Sequence, residues 1–287
     1  MHDDSAWIAL SLLRHVGSKT LRALVAYFGS ADNVLHASRK DLLSVHGVGA
    51  VIADAILAID IDKTNAEIEQ WQRANITIAP RYTPQYPPML RDLDDEPATL
   101  FYRGAYDVTT LGEKGVAIIG TRNPSQIARQ TAFQLGAKLA KQGYIIVSGL
   151  AHGIDGAAHH GALGARGGQT LAVLGSGVLQ IYPKQHETLA ARILQNGALL
   201  SENHPQATPK AARLVTRNRI ITGLAQHVIV IETAEDGGAM HAARFATIQG
   251  KKLYTLDLPV SGNQALLEQG AMCIPHKALE GWHFDEQ

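Results

Sequence analysis

Between residues 116 and 155 the spacing of apolar positions switches from one period to another and back. Val116-Ala117-Ile118-Ile119 is an apolar run rich in β-branched residues with no polar interruption, the pattern of a strand buried on both faces. Gly120-Thr121-Arg122-Asn123-Pro124-Ser125 turns the chain, and Pro124 suits a first helical turn, where a missing N–H costs nothing. Ala128, Ala132, Leu135 and Leu139 then keep helical spacing up to Gly143, which closes the helix. Tyr144-Ile145-Ile146-Val147 returns to strand and runs into Ser148-Gly149-Leu150-Ala151-His152-Gly153-Ile154-Asp155. This is a βαβ unit whose first turn offers an arginine and backbone N–H groups at a helix N-terminus, an arrangement that suits phosphate.

The same alternation continues. Strands are expected at 116–119, 144–147, 170–174, 198–201, 228–232, 252–256 and 271–274, with helices between most of them. Strands alternating with helices predict a doubly wound, mostly parallel α/β sheet, with ligands held where the strand C-terminal ends open into loops. Leu100-Phe101-Tyr102-Arg103-Gly104 is an added strand before the main sheet. Residues 80–88 carry four prolines and form an extended connector. Residues 64–75 form a short amphipathic helix.

Residues 7–60 are expected to be wholly helical. Leu42, Val45, Val48, Ala53 and Ile56 are the apolar positions of two helices joined by Gly47-Val48-Gly49, a pattern that resembles a helix-hairpin-helix. Val16-Gly17 followed by Leu21 and Leu24 repeats the spacing of Val48-Gly49 followed by Ala53 and Ile56, which suggests a duplication. Hairpin N–H groups hold DNA phosphates in some proteins and serve as plain helix packing in others. The expected domains are therefore 1–62 (helical), 63–110 (connector and lead-in to the sheet) and 111–287 (the sheet domain).

Composition narrows the class. With 46% hydrophobic and 18% charged residues in 287, the chain has ample core for one large and one small domain. Cys273 is the only cysteine, which excludes an intrachain disulfide and fits a reducing cytoplasm. The acidic start lacks the features of a signal peptide, and no apolar run is long enough to span a bilayer. The net charge of zero hides an asymmetry: residues 114–231 hold twelve Lys/Arg against three acids, a local excess of nine. A segment so poor in acids points to a polyanionic partner.

The candidate chemistry lies in the loops of that segment. Gly120-Thr121-Arg122 is not a dinucleotide fingerprint, but Arg122 stands in the first βα turn, where a helix dipole already favours an anion. Lys184 follows Tyr182-Pro183. Arg217-Asn218-Arg219 begins a basic helix, and residues two apart face different sides, so its two arginines have different jobs: phosphate contact, or a bridge to Glu202 or Glu232. Ser148, His152 and Asp155 are neighbours because the chain is short there, and nothing implies an oxyanion hole. His152, Asp155, His159 and His160 lack a recognised ligand spacing, so neither a metal nor another cofactor is expected. Few aromatics flank the basic segment, so contact should be mainly to phosphates and strongly salt-dependent.

Taken together these motifs resemble the DprA/Smf family of bacterial DNA-processing proteins, over nearly the whole chain from Trp7 to Pro275. Tyr86-Pro87-Pro88-Met89-Leu90 and Leu100-Phe101-Tyr102-Arg103-Gly104 look like its lead-in, Gly120-Thr121-Arg122 like its G-S-R turn, and residues 148–155 fit S-G-x-A-x-G-I-D. Tyr182-Pro183-Lys184, Ser201-Glu202 and residues 217–224 follow in family order. The resemblance implies an extended Rossmann-like domain preceded by a small helix-hairpin-helix or SAM-like domain. It implies a protein that binds and protects single-stranded DNA and helps load the RecA recombinase in natural transformation, with no catalysis, commonly as a homodimer through the Rossmann-like domain. On it, Arg122 and Lys184 line the DNA pocket. Gly120, Thr121, Ser125, Ser148, Gly149, His152, Gly153, Arg217, Asn218 and Arg219 complete the expected DNA-binding set.

Departures from the family pattern are the Leu214-Val215 pair in place of F-P, Gly237-Gly238-Ala239-Met240-His241-Ala242-Ala243 in place of a hydroxyl-rich S-G-S-L-I-T-A turn, a short loop after Leu258-Pro259, and an end at Gln287 without a winged-helix domain. Two other classes compete. A phosphoribohydrolase-like enzyme would need P-G-G-x-G-T-x-x-E; Gly237-Gly238 resembles part of it, but no glutamate follows through Gln249. A small-nucleotide sensor would use the same anion turns.

Overall fold

The computed structural model describes residues 2–284. Its first part is a helical unit: α1 His2–Ser11, α2 Ser18–Phe28, α3 Ala31–Leu35, α4 Arg39–Leu43 and α5 Ala50–Leu57. Val16, Leu21, Leu24, Leu42, Val45, Val48, Ala53 and Ile56 are all buried in one core, so both halves of the repeated spacing face inward as expected. The repeat extends to the backbone. Gly17 and Gly49 cap α2 and α5 with nearly equal dihedrals, φ −84°, ψ 173° and φ −93°, ψ 176°. Two residues earlier His15 and Gly47 both take the left-handed conformation, φ 69° and 85°. Glycine adopts that region freely, whereas histidine occupies it at some cost.

Helix α6, Ile61–Arg73, runs straight through the boundary expected at 62/63. Its Asp60 cap side chain accepts from the Lys63 N–H, which starts this helix two residues before the expected boundary. The helical unit is fastened to the lead-in: Trp7 Nε1 donates to Ala98 O (3.0 Å) and Ser18 Oγ to the buried Glu96 carboxylate (2.8 Å). The same carboxylate is held by Arg81 at 2.7 Å and Arg22 at 3.2 Å.

One nine-stranded sheet forms the rest. Two strands, β1 Thr77–Pro80 and β2 Thr99–Gly104, precede the parallel set β3 Gly115–Ile119, β4 Ile145–Ser148, β5 Thr170–Val173, β6 Ala198–Ser201, β7 His227–Val230, β8 Lys252–Leu256 and β9 Met272–Ile274. Their order is β1-β2-β6-β5-β4-β3-β7-β8-β9, and β2 pairs antiparallel to both β1 and β6. Every strand expected from apolar runs is present within a residue or two. The connector missed β1, whose last residue is Pro80; at the sheet edge the absent N–H is tolerated.

Alternation within β3 shows how the layers form. Val116 and Ile118 point to one face, packed by Ala128, Leu135 and Leu139 of α7 (Gln126–Lys141) and by Ala158 and Ala162 of α8 (Ile154–Gly164). Ala117 and Ile119 point to the other, under Ile220 and Ile221 of a helix at 218–223 and Ala242 and Ala246 of a helix at 238–248. The remaining helices are α9 Glu187–Asn196, α10 Ala211–Thr216, α11 Asn218–Gly223, α12 Gly238–Ile248 and α13 Ser261–Glu268. Helices on both faces of a mostly parallel sheet make this the doubly wound fold. The order of strands reverses at β3 and β7, which are parallel neighbours, and a crevice opens there at the strand C-terminal ends.

Candidate nucleic-acid interface

The crevice is a cleft of about 450 Å³ between Gly120-Thr121-Arg122, Ala151, the α10–α11 segment at Leu214, Arg217 and Asn218, and the start of α12. A second hollow of about 280 Å³ shares Arg122, Ala151, Leu214 and Arg217 with it and extends to His152, Tyr182, Pro183 and Gln185. The turn after β3 and Tyr182-Pro183 therefore flank adjoining hollows, though they are sixty residues apart, and Lys184 follows directly on Pro183. Arg122 and Lys184 are both exposed. Among the described residues neither forms an ion pair, and the Arg122 guanidinium has no hydrogen-bond partner there.

The helix terminus behind Arg122 corrects the expectation of a vacant anion seat there. Glu232, at the end of β7, places its carboxylate on the N-terminus of α7, accepting from Ser125 N at 2.9 Å and from Ser125 Oγ at 2.5 Å. Ser125 Oγ also caps Ala128 N at 3.1 Å. Ser125 is thus the N-cap and Pro124 lies one residue outside the helix, not in its first turn. The protein's own carboxylate occupies the position in which a phosphate would gain from that dipole. Ser125 consequently leaves the set of groups free for a ligand. α12 behaves differently: its cap, Gly237, offers no side chain, and the helix begins inside the cleft.

Four other expected site residues prove to be framework. Ser148 is fully buried and donates to Ile118 O at 2.6 Å. Gly149 gives its N–H to Asp155 (3.1 Å), and a side chain on it would collide with the Arg217 guanidinium. Arg217 is 6% exposed; its Nη1 donates to Gly149 O and to Val173 O (2.7 Å), and Nη2 lies 3.7 Å from Asp155. Burial pushes the Asp155 carboxyl up, with Arg217 and the amides of Ala151 and Gly149 pulling it back. Arg219, also 6% exposed, makes a two-pronged bridge to Glu202 (2.7 and 2.6 Å) and a contact with Asp95 at 3.2 Å. The two arginines do face different ways, but each is consumed by the fold, and Arg219–Glu202 is the structural bridge considered from the sequence. Gly153, at φ 79°, brings the loop against Thr121 O and Arg122 O, where any Cβ would clash.

The groups left facing the depression are Arg122, Gly120, Thr121, His152, Asn218 and, beside it, Lys184. His152 stands edge-on to His186 at 4.8 Å, and His186 Nδ1 is 2.9 Å from Leu150 O. His159 is buried against Thr170 (2.7 Å), and burial drops its pKa to about 3. Ser148, His152 and Asp155 therefore do not line up for nucleophilic chemistry. Sequence reasoning missed two features of the rim. Tyr182 is 41% exposed beside the second hollow, giving the site one aromatic surface. Glu235 and Asp236, exposed and without ion pairs among the described residues, lie in the loop whose Ala234 and Gly237 line the opposite side of the cleft.

An open, mostly parallel sheet with helices on both faces and an appended helical unit defines a Rossmann-like α/β protein, with an exposed arginine at its topological switch point. Residues 77–280 match the family described as DNA recombination-mediator protein A, and residues 6–68 match the helix-hairpin-helix motif. The chain belongs to the DNA recombination-mediator protein A (DprA/Smf) family. It is 35% identical to the DNA processing protein DprA of Bacillus subtilis over 209 residues, covering 71% of this chain and 70% of that one. It is 37% identical to protein Smf of Escherichia coli over 221 residues, 74% of this chain and 58% of that one. Protein Smf of Synechocystis is 32% identical over 260 residues, 88% of this chain and 64% of the relative's length. Among solved structures, DprA of Streptococcus pneumoniae superposes with a TM-score of 0.80 at 26% identity, covering 99% of both chains. DprA of Helicobacter pylori, described for its single-stranded DNA binding mode, superposes at 0.64 with 30% identity over 72% of this chain and 97% of that one.

Proposed function

We propose that this protein binds single-stranded DNA in the depression between Arg122 and Lys184 and presents it to a RecA-type recombinase. The observation that carries the reading is the unpaired Arg122 guanidinium beside the Tyr182-Pro183-Lys184 loop, in a chain whose relative from Helicobacter pylori is described as a single-stranded DNA binder. Arg122 and Lys184 contact phosphates, Gly120, Thr121 and Asn218 shape the path, and His152 lies along it, while Gly153 holds the loop against the Thr121-Arg122 turn. Arg217, Asp155, Ser148 and Gly149 hold the loops in place. Contacts of this kind carry little sequence preference.

No catalytic step is part of the proposal. Ser148, His152 and Asp155 each face other partners, and α12 offers no glutamate after Gly237-Gly238, which disfavours hydrolase chemistry. The working form is a cytoplasmic homodimer joined through the sheet domain. Among the described residues no helix is long and apolar enough to cross a membrane. Mobility shifts with a single-stranded oligonucleotide, the matching duplex and nucleoside monophosphates test the reading. Preference for the single strand supports it; equal binding of the duplex, or binding of mononucleotides alone, overturns it.

A further inference from the structure

A second concavity, larger than the depression just described, lies elsewhere on the sheet domain. A groove of about 810 Å³ opens at the other end of the parallel strands, between the lead-in at 88–95, the turn at 108–113 that precedes β3, and the last turn of α12. One helix joins the two sites: the start of α12 lines the cleft, and Phe245, Ile248 and Gln249 at its end line the groove. Met89 and Leu93 complete the apolar floor, and Ile248 is 78% exposed, the most exposed large apolar side chain described.

Carboxylates surround this floor. Asp92, Asp94 and Glu113 are exposed and make no ion pairs among the described residues, whereas Asp95 is engaged by Arg219. Lys251 is the one cation lining the groove. An apolar floor inside an acidic rim repels nucleic acid and anionic lipid surfaces, and it complements a helix with leucine-like residues on one side and lysine or arginine around them. A second copy of this chain would have to offer a different, basic patch; such a contact between unlike surfaces builds rings or filaments instead of a closed pair.

We propose that this acidic groove docks a basic amphipathic segment of a protein partner while DNA occupies the opposite end of the sheet. Charge sorting keeps the two ligands apart: the strand goes to the Arg122 side, the cationic helix to the Asp92–Glu113 side.

The test uses the full chain and three synthetic 18-residue helical peptides as probes, read by fluorescence anisotropy: leucine on one face with lysine elsewhere, the same leucine face with glutamate, and the lysine pattern with serine replacing leucine. The Leu/Lys peptide should bind at least tenfold more tightly than either other peptide. Ile248→Glu and the pair Asp92→Lys, Asp94→Lys should each weaken it at least tenfold, leaving Tm and single-stranded DNA affinity within twofold or a degree or two of wild type. Equal binding of the Ser/Lys peptide, no response to the substitutions, or a change in sedimentation of the variants with peptide binding intact would overturn the proposal. DNA affinity is read separately, so failure here leaves the DNA-binding assignment standing or falling by itself.

Discussion

Replacing Arg217 with methionine separates a framework arginine from a ligand-binding one. The guanidinium donates to Gly149 O and Val173 O and sits 3.7 Å from Asp155, with the residue 6% exposed. Methionine keeps most of the volume but strands the Asp155 carboxylate in the interior, with the Gly149 and Ala151 amides and the Ser148 hydroxyl left beside it and no charge to pair with. Removing one member of a buried pair costs about 3–5 kcal/mol. With a shift of about 2–4 °C per kcal/mol for a protein of this size, Tm should fall by roughly 6–20 °C. Arg122→Ala, at an exposed position, should stay within about 0.5 kcal/mol. Thermal melts of both variants, of Asp155→Asn and of the Arg217→Met, Asp155→Asn pair make a cycle in which the pair is less destabilised than the two single changes added. Should Arg217→Met melt with wild type while losing single-stranded DNA affinity, the arginine serves the ligand and the framework assignment is refuted.

Two further outcomes follow from charge. Burial lowers the pKa of His159 to about 3 and that of His227 to about 4. Below pH 6.5 the unfolded chain takes up protons that the folded chain refuses, so stability is full above that pH and is lost as pH falls toward these values. His159 alone costs about 2 kcal/mol at pH 5; urea titrations at pH 7.5 and 5.0 giving the same stability would contradict this. Glu235 and Asp236 are exposed in the loop that carries the cleft-lining Ala234 and Gly237, close enough to repel a polyanion bound there, so Glu235→Ser, Asp236→Ser should raise single-stranded DNA affinity about threefold to tenfold at low salt. A filter-binding titration that shows no gain would place the strand away from that loop.

Much of the sheet was legible because its signal is local. Uninterrupted apolar runs such as Val116-Ala117-Ile118-Ile119 mark strands buried on both faces, and Ala128, Ala132, Leu135 and Leu139 mark a helix covering one of them. The hairpin repeat was readable for the same reason, down to Val16 and Val48. β1 was not, since four residues ending in Pro80 carry little pattern and owe their form to pairing with β2. The site divided along the same line. Arg122, three residues beyond the end of β3, and Lys184, at the start of a short 3-10 turn, are both exposed, as cations outside the apolar runs should be. Ser125, Ser148, Gly149, Arg217 and Arg219 were assigned to the ligand although the fold uses them, because their partners are remote: Glu232 lies 107 positions from Ser125, and Val173 lies 44 from Arg217. A glutamate closing the buried run Val228-Ile229-Val230-Ile231 was the available hint that an internal anion would seek a helix terminus.

The central claim is most directly tested by titrating a fluorescent single-stranded oligonucleotide from about 50 to 200 mM salt with wild type and with the Arg122→Ala, Lys184→Ala protein. For a single strand, every phosphate that a protein cation neutralises adds about 0.7 to the steepness of log K against log salt. The doubly substituted protein, two cations short, should melt like wild type, bind more than tenfold more weakly at the lowest salt, and show a slope shallower by about 1.4. Affinity and slope matching wild type would contradict the account.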